Sequence, residues 1–286
     1  MTGYQDGYWW SKDNLRLHFR DYPGDAARPP ILCLPGLTRN ARDFDCVAQF
    51  VNGRHRVLCV DFRGRGESAY AKDAMTYVPL TYMQDIDALL AAEGIDRFVA
   101  FGTSLGGLVT ILLAATQKGR LAGALLNDIG PEIDPRGLER IRGYVGVGRS
   151  YETWTHAARS LAETNADIFP RWDLEDWIAY AKRTHRLTNA GKIVLDYDMR
   201  IAEPFAVPGG EAGVDLWPAL RQLSDIPTLL VRGALSDLLT DQAARKMVGL
   251  LDNSELVVVP DIGHAPTLDE PEVRAGIDRL LARIEG

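Results

Sequence analysis

Cysteine is scarce in this 286-residue sequence, and the cysteines present form no pattern that would join them or ligate a metal. Cys33, Cys46 and Cys59 are an odd set without a C-x-x-C pair. Disulfide-stabilised secreted domains and structural zinc sites need paired or clustered cysteines. No spacing of histidines and carboxylates resembles a metal site either. The sequence therefore predicts a protein of the reducing cytoplasm that holds no metal.

An excess of basic charge is also missing. The formal net charge is −7, so we expect no basic face that would bind nucleic acid or an anionic membrane. Residues 1–21 contain no apolar segment of the kind that a secretory signal needs. The longest uncharged stretch, 98–117, contains Gly102, Gly106 and Gly107, which favour a strand, a turn and a helix over a membrane span.

A phosphate-binding loop is absent as well. The segment 61–68, Asp-Phe-Arg-Gly-Arg-Gly-Glu-Ser, follows an apolar run but lacks the Gly-Lys-Ser/Thr ending of such a loop. Gly146 and Gly148 follow no predicted strand. We interpret 61–68 as a buried loop of aspartate and arginine that braces a site built from other residues.

The sequence does contain a regular alternation of short apolar runs and amphipathic helical patterns. Continuous apolar runs predict strands that are covered on both faces, because a half-exposed strand would alternate with polar residues. Helical spacing is clear in 81–92 and again in 273–284. This order predicts an α/β fold with a mostly parallel sheet. The apolar runs are 30–34, 56–60, 97–101, 121–127, 228–231 and 255–259.

Two stretches depart from this alternation. Residues 8–10 and 15–22 predict an antiparallel hairpin at one edge of the sheet. From 131 to 215 we expect helices and loops whose aromatic rings form either a small core or a pocket wall, ending in prolines and glycines typical of a linker. We therefore predict a core of residues 1–130 and 216–286 with an inserted helical cap at 131–215.

The segment Gly102-Thr103-Ser104-Leu105-Gly106-Gly107 is a G-x-S-x-G sequence between an apolar run and a helical run. A serine in this context lies at the tip of a sharp strand-to-helix turn, and the glycines let the backbone approach its neighbours. We interpret Ser104 as a nucleophile. The alternative is a glycine-rich bend packed under a core helix.

A serine nucleophile needs a base that takes its proton and an acid that orients the base. His264 follows the run 255–259, in a loop at the carboxyl edge of the sheet, where open α/β sheets bind ligands. It is the predicted base. The remaining histidines lie in the hairpin, before a strand or in the inserted segment and are expected at the surface or in packing: His18, His55, His156 and His185.

Two aspartates could orient this base. Asp237 follows the run 228–231 and gives the chain order Ser104, Asp237, His264, which differs from the two common protease orders. Asp128 follows the run 121–127 and could reach the same histidine from one strand earlier. We favour Asp237 as the acid and keep Asp128 as the alternative, whose other role would be to shape the hinge of the cap.

Acyl transfer also needs N–H donors that point at the developing oxyanion. Leu105, directly after the nucleophile, offers its backbone N–H at the start of a helix. A second N–H is expected from the tight turn after the run 30–34, where Leu37 follows Pro35 and Gly36. Leu37 and Leu105 are therefore the predicted oxyanion hole.

Five motifs in this order resemble the α/β-hydrolase superfamily over nearly the whole chain. Within it, the chain is similar to capped bacterial esterases, enol-lactonases and carbon–carbon bond hydrolases. The resemblance implies a sheet of about eight strands with an inserted helical cap, a triad of Ser104, Asp237 and His264, and an oxyanion hole at Leu37 and Leu105. The motifs are Leu34-Pro35-Gly36, Asp61-x-Arg63-Gly64-x-Gly66-x-Ser68, Gly102-x-Ser104-x-Gly106-Gly107, Ser236-Asp237 and Gly263-His264.

Departures from the family patterns narrow the range of expected substrates. Epoxide hydrolases and haloalkane dehalogenases of this superfamily have aspartate where this chain has Ser104. Members that cleave ring-fission products usually carry an aromatic residue after the base, whereas this chain has Ala265, and Pro35 stands where many relatives have histidine. An ester or a lactone fits these departures better than a diketone.

We therefore predict a serine hydrolase that cleaves a carboxylic ester or lactone of a small, largely apolar substrate through an acyl-serine intermediate, without a cofactor. The alternatives are a carbon–carbon bond hydrolase that acts on a diketone, a cofactor-free perhydrolase, and a ligand-binding member of the fold without turnover. The expected partner is the small-molecule substrate, with neither nucleic acid nor a membrane involved. A monomer and a homodimer are equally compatible with the sequence.

Overall fold

The computed structural model describes residues 3–117, 119–206 and 215–285, with the backbone alone for 205–206. A central sheet of eight strands runs through these residues, and a sheet of three short strands lies apart from it. The strands are β1 (Gln5–Trp10), β2 (Arg16–Tyr22), β3 (Ile31–Leu34), β4 (Val57–Asp61), β5 (Phe98–Thr103), β6 (Leu121–Asn127), β7 (Ser150–Tyr151), β8 (His185–Leu187), β9 (Ile193–Leu195), β10 (Thr228–Gly233) and β11 (Ser254–Val259).

Helices connect the strands. The helix predicted at 81–92 begins two residues earlier, because Pro79 suits the first position of a helix. Short 3-10 helices cover Ala41–Phe44, Ala74–Thr76, Met199–Ala202 and Arg221–Leu223. The α-helices are α1 (Asp45–Val51), α2 (Pro79–Ala92), α3 (Leu105–Thr116), α4 (Pro135–Tyr144), α5 (Trp154–Asn165), α6 (Leu174–Thr184), α7 (Glu203–Ala206), α8 (Trp217–Leu220), α9 (Asp241–Val248) and α10 (Pro271–Glu285).

The eight-stranded sheet has the order β1-β2-β4-β3-β5-β6-β10-β11. The pairs β1–β2 and β2–β4 are antiparallel, and the pairs from β4 through β11 are parallel. The predicted α/β class, the hairpin edge and the number of strands are confirmed. Because parallel strands end at the same edge, the loops after β3, β5, β6, β10 and β11 come together there.

The apolar runs form strands because both faces of the sheet are covered. Alternate residues of β4 enter opposite layers. Leu58 and Val60 join a buried cluster with α2, α3 and α9, whereas Val57 and Cys59 join one with α1 and α10. Packing on both faces restrains the sheet, and the loops at its carboxyl edge therefore begin from well-defined positions.

Residues 131–215, which we call the intervening segment, contain more than the helices and loops that the sequence predicts. The strands β7, β9 and β8 form a small antiparallel sheet in that order, so the expectation of helices and loops without strands is wrong. Strands of two or three residues are too short to show an alternating pattern. Of the expected linker, Pro208, Gly209, Gly210 and Gly213 lie outside the described residues.

The aromatic residues of the intervening segment form a third buried cluster between α5 and α6. The rings of Phe169 and Trp172 stack with centroids 3.7 Å apart, and Trp177 meets both edge-on. These rings form a small core of the segment itself. Among the residues that the structure describes, no helix has the length and apolar composition needed to cross a bilayer.

Candidate active site

Ser104 lies at the turn between β5 and α3, and its backbone conformation is strained. Its φ of 51° and ψ of −115° are values that residues other than glycine rarely adopt. The Ser104 N–H donates to the carbonyl of Asn127, 2.9 Å away at the end of β6. A Cβ on Gly106 would overlap the carbonyl of Leu34 in β3, which explains the glycine there. The sharp turn that the G-x-S-x-G sequence predicts is therefore present.

His264, in the loop after β11, contacts both Ser104 and an aspartate. Its Nε2 lies 2.9 Å from Oγ of Ser104, and its Nδ1 lies 2.8 Å from Oδ2 of Asp128. An ionised carboxylate only accepts hydrogen bonds, so Nδ1 carries the ring proton and Nε2 can accept the proton of the serine hydroxyl. The His264 side chain is 9% exposed and that of Asp128 is fully buried. The three groups form one chain of hydrogen bonds that can move a proton from hydroxyl to imidazole.

Two further donors hold the carboxylate of Asp128. Its Oδ1 accepts the N–H of Gly233 at 2.9 Å, and its Oδ2 accepts the hydroxyl of Ser236 at 2.6 Å. Ser236 in turn accepts the N–H groups of Leu238 and Leu239, so its position is fixed by the loop after β10. In the sequence, Ser236 is recognisable only as the neighbour of Asp237, and nothing there indicates its contact with Asp128.

The structure does not bring Asp237 to His264. The Asp237 carboxylate accepts two hydrogen bonds from Arg140 of α4, at 2.5 and 2.8 Å. Burial opposes ionisation of this carboxyl, but the hydrogen bonds and charge of Arg140 outweigh burial and lower the pKa of Asp237. The predicted contact is therefore corrected in favour of the alternative, Asp128. The reason is local, because Arg140 of α4 holds the carboxylate of Asp237, whereas the N–H of Gly233 and the hydroxyl of Ser236 hold that of Asp128 beside His264.

The predicted oxyanion donors lie on the two loops that meet at Ser104. The helix α3 begins at Leu105, whose N–H belongs to the first turn and has no partner inside the helix. Leu37, in the loop after β3, lines the same cavity as Ser104. The carbonyl of Leu37 accepts a hydrogen bond of 2.9 Å from Nε of the fully buried Arg65. Arg65 thus fixes the backbone that carries Leu37.

The loop 61–68 has the bracing role that the sequence predicts. The carboxylate of Asp61 accepts the N–H groups of Ala41 and Glu67 at 2.6 and 3.0 Å. It also lies 2.7 Å from Nδ1 of His18, which is buried. These contacts tie the hairpin, the loop after β3 and the loop after β4 to one another.

The other histidines divide between packing, surface and cavity. His55 is buried and bonded to the carbonyl of Pro29, and His156 is exposed, as predicted. His185 lines the cavity, which the sequence did not indicate. Burial above all, with the positive charges of Arg39 and Arg42, lowers the pKa of His185 to about 4. The described residues hold no cluster of three histidine, cysteine or carboxylate side chains that could bind a metal.

A cavity of about 410 Å³ lies between the sheet edge and the intervening segment. Ser104 and His264 line it from the sheet side, and α4, α5 and α6 contribute side chains from the other side. Its volume suits a small molecule. The wall of this cavity carries positive charge, which the sequence did not indicate because the arginines come from separate parts of the chain. They are Arg39, Arg140, Arg149 and Arg183.

A family model described as the alpha/beta hydrolase fold matches residues 29–271 of the chain. The match includes the turn at Ser104 and the loops that carry Asp128 and His264. The chain belongs to the α/β-hydrolase fold family. The crystal structure of an α/β hydrolase from Novosphingobium aromaticivorans DSM 12444 is 59% identical to this α/β-hydrolase, with a TM-score of 0.95 and 99% of each chain covered.

Two relatives of this α/β-hydrolase carry specific hydrolase names. A 3-hydroxybutyrate-oligomer hydrolase from Cupriavidus necator is 38% identical over 266 residues, which are 90% of this chain and 89% of the relative. A 2-(acetamidomethylene)succinate hydrolase from Mesorhizobium japonicum is 25% identical over 248 residues, 86% of this chain and 84% of the relative. The family and these relatives support hydrolase activity for this chain.

Proposed function

We propose that the protein is a carboxylic-ester hydrolase that works through an acyl-serine intermediate, with Ser104, His264 and Asp128 as its catalytic triad. The observation that carries the proposal is the pair of hydrogen bonds at His264, 2.9 Å to Ser104 Oγ and 2.8 Å to Asp128 Oδ2. Nucleophilic catalysis by serine requires a base within hydrogen-bond reach of the hydroxyl and a buried acid that fixes its tautomer. Asp128 takes the place in this triad that the sequence analysis gave to Asp237.

In the first half of the proposed reaction, Ser104 Oγ attacks the ester carbonyl carbon while His264 Nε2 takes the serine proton. The N–H groups of Leu37 and Leu105 stabilise the oxyanion, each by about 3 kcal/mol. The bond between the carbonyl carbon and the alcohol oxygen then breaks, and His264 returns the proton to the leaving alcohol. In the second half, His264 takes a proton from water while the water oxygen attacks the acyl carbon. The bond between that carbon and Ser104 Oγ then breaks, His264 returns the proton to Oγ, and the acid is released.

We further propose that residues 131–215 form a cap over this site, inserted between core segments 1–130 and 216–286. Tyr144, Leu161 and Tyr180 come from three helices of that segment and line the cavity opposite Ser104. A cover of this kind restricts water while the acyl-serine forms and gives the pocket its shape.

The proposed substrate is a small linear ester or a lactone. The Cupriavidus necator relative is named for oligomers of 3-hydroxybutyrate, which are linear esters of a short hydroxy acid. A cavity of about 410 Å³ is compatible with a molecule of that size. The sequence analysis expected a largely apolar substrate, and we replace that expectation because guanidinium groups in the cavity wall favour polar substituents.

The test combines turnover with covalent labelling of the nucleophile. Wild-type protein is expected to hydrolyse p-nitrophenyl butyrate and to react once per chain with a fluorophosphonate, with the added mass on the peptide that contains Ser104. Ser104→Ala should lose the label and about 10⁴- to 10⁶-fold in kcat/KM, because no other group replaces the nucleophile.

Ser224→Ala is the matched control, since the Ser224 hydroxyl bonds to exposed Asp252 and does not line the cavity. It should keep both activity and label. Normal turnover in Ser104→Ala, or labelling of a different residue in the wild type, would contradict the proposed function.

A further inference from the structure

The cavity wall carries positive charge in a chain that is acidic overall. The chain has a formal net charge of −7, yet the described lining of the cavity contains four arginines and one carboxylate, that of Asp43. Arg140 is neutralised from outside the lining by Asp237, at 2.5 and 2.8 Å. The positive charge of the remaining arginines therefore exceeds the negative charge beside them.

Arg39 and Arg183 share the single carboxylate of Asp43. Arg39 binds it with two hydrogen bonds, 2.6 Å from Nε and 2.5 Å from Nη2. Arg183 comes no closer than 4.0 Å, between its Nε and Oδ1 of Asp43. The Nε of Arg183 is buried and has no hydrogen-bond acceptor among the described residues. One guanidinium of the pair is thus left with an unused donor.

The ring of Tyr180 holds the two guanidinium groups near each other. Their carbon atoms lie 4.2 Å (Arg39) and 5.7 Å (Arg183) from the ring centroid, within the range of cation–π attraction. The Arg39 side chain is 15% exposed and that of Arg183 is 30% exposed. The pair is therefore ordered before a ligand binds, which reduces the entropy that binding would cost.

One member of the pair, Arg39, lies beside the nucleophile. A Cβ placed on Gly36 would be 3.2 Å from Cγ of Arg39 and 3.8 Å from Cβ of Ser104, so the two side chains flank the same glycine. Arg39, Arg183 and Ser104 all line one cavity. A small substrate whose ester carbonyl is at Ser104 can therefore extend a second group towards the arginines.

We propose that Arg39 and Arg183 bind a free carboxylate of the substrate, so that the preferred esters are those of hydroxy acids with an ionised acid end. The proposal rests on the ester hydrolysis proposed above and names its substrate class. A planar carboxylate is the acceptor that matches the fork of an arginine, and it would take the unused Nε of Arg183. A neutral ester end offers that donor only an uncharged carbonyl oxygen, which makes a weaker hydrogen bond than a carboxylate does.

The test compares two substrates that differ only at the acid end. One is the linear dimer of 3-hydroxybutyric acid with its free carboxylate, and the other is the same dimer as its primary carboxamide. For the wild type we expect kcat/KM to be about 10- to 100-fold higher for the acid, since hydrogen bonds to charged groups are stronger than neutral ones. Most of the difference should appear in KM, because the carboxylate is bound in both ground and transition states.

Arg183→Gln should reduce this preference to within about 3-fold, and Arg183→Lys should give an intermediate ratio because it keeps the charge but not the planar fork. Both rates are measured on the same variant, so a partial loss of folded protein cancels in the ratio. Arg186→Gln is the matched control. Arg186 belongs to the same segment and lies 3.5 Å from Asp196, but it does not line the cavity.

Equal rates for the two dimers in the wild type would overturn the inference, as would a preference that Arg183→Gln leaves unchanged or that Arg186→Gln reduces equally. If hydrolysis of p-nitrophenyl butyrate still depends on Ser104, these outcomes leave the proposed function standing. If neither the dimers nor p-nitrophenyl butyrate is hydrolysed, the proposed function fails and the inference fails with it.

Discussion

The loops after β6 and β10 leave neighbouring strands at the same edge of the sheet, and each carries an aspartate in different surroundings. Asp128 is fully buried and receives hydrogen bonds from Gly233, Ser236 and His264. Asp237 has a side chain that is 32% exposed and is bound by Arg140 alone among the described side chains. One carboxylate faces His264, and the other joins the loop after β10 to α4.

The difference shows that chain order alone does not identify which carboxylate contacts His264. Asp237 fits the order of the family motifs, but an arginine from α4 occupies its carboxylate. Asp128 has donors on both of its oxygens, which hold it in one orientation. We infer that the distribution of donors around each carboxylate decides its role.

Among the variants that test the roles of the two aspartates, Asp128→Asn is expected to lower activity most. The amide of asparagine would donate towards Nδ1 of His264 and favour the tautomer with the proton on Nε2, which cannot accept the serine proton. We expect kcat to fall about 10³- to 10⁴-fold, measured with p-nitrophenyl butyrate at pH 7.5. Circular dichroism checks that the variant is folded.

The matched variant is Asp237→Asn, which changes the same atoms in the neighbouring loop. If it lost as much activity as Asp128→Asn, the roles assigned to the two carboxylates would be reversed.

A smaller effect is expected from Ser236→Ala. The change removes one of the donors that hold Asp128 and leaves the N–H of Gly233 in place. We expect kcat to fall about 3- to 10-fold with little change in KM, because the base is less well oriented while the substrate pocket is intact. Ser236→Thr keeps the hydroxyl and should recover most of the rate. Equal losses in both variants would show that the hydroxyl does not act through Asp128.

The smallest catalytic effect is expected from Asp237→Asn, whose kcat should stay within about 5-fold of the wild type. Its main consequence is on stability, since the ion pair with Arg140 contributes about 1 kcal/mol at neutral pH. The pKa of Asp237 is lowered in the folded state, so this contribution is complete above the ordinary pKa of an aspartate and is lost as pH falls through the lowered value.

Urea unfolding of both proteins at pH 7 and at pH 3 checks this pH dependence. The difference in unfolding free energy should be larger at pH 7. A difference that grows as the pH falls would contradict the assigned ion pair.

The parts of the fold that were predictable depend on short stretches of sequence. The continuous apolar run 121–127 became β6 with the same limits, and the glycines around Ser104 produced the strand-to-helix turn. The three strands of the intervening segment were not predictable, because β7 has two residues and its pairing partner β9 lies about 40 residues away in the chain. A pairing between segments so far apart in the sequence produces no local periodicity that could predict it.

In the site, the pairing of Ser104 with His264 followed from each residue's place after a strand, and the structure puts them 2.9 Å apart. The contact of Asp128 with His264 could not be predicted in the same way, because both aspartates follow a predicted strand and the family order favoured Asp237. The arginines of the cavity wall gave no signal at all, because Arg39 and Arg183 are 144 positions apart in the sequence and meet only across the cavity.

The sequence by itself determined the α/β class, the turn at Ser104 and the placing of His264 at the same edge of the sheet, because each depends on residues that are adjacent in the chain. Only the tertiary structure decided which carboxylate contacts His264 and where the excess positive charge lies. Both depend on the order of strands in the sheet and on helices that return from the intervening segment. Asp128 and Asp237 follow adjacent strands, and only Asp237 is bound by Arg140. Neither fact can be inferred from the residues next to either aspartate.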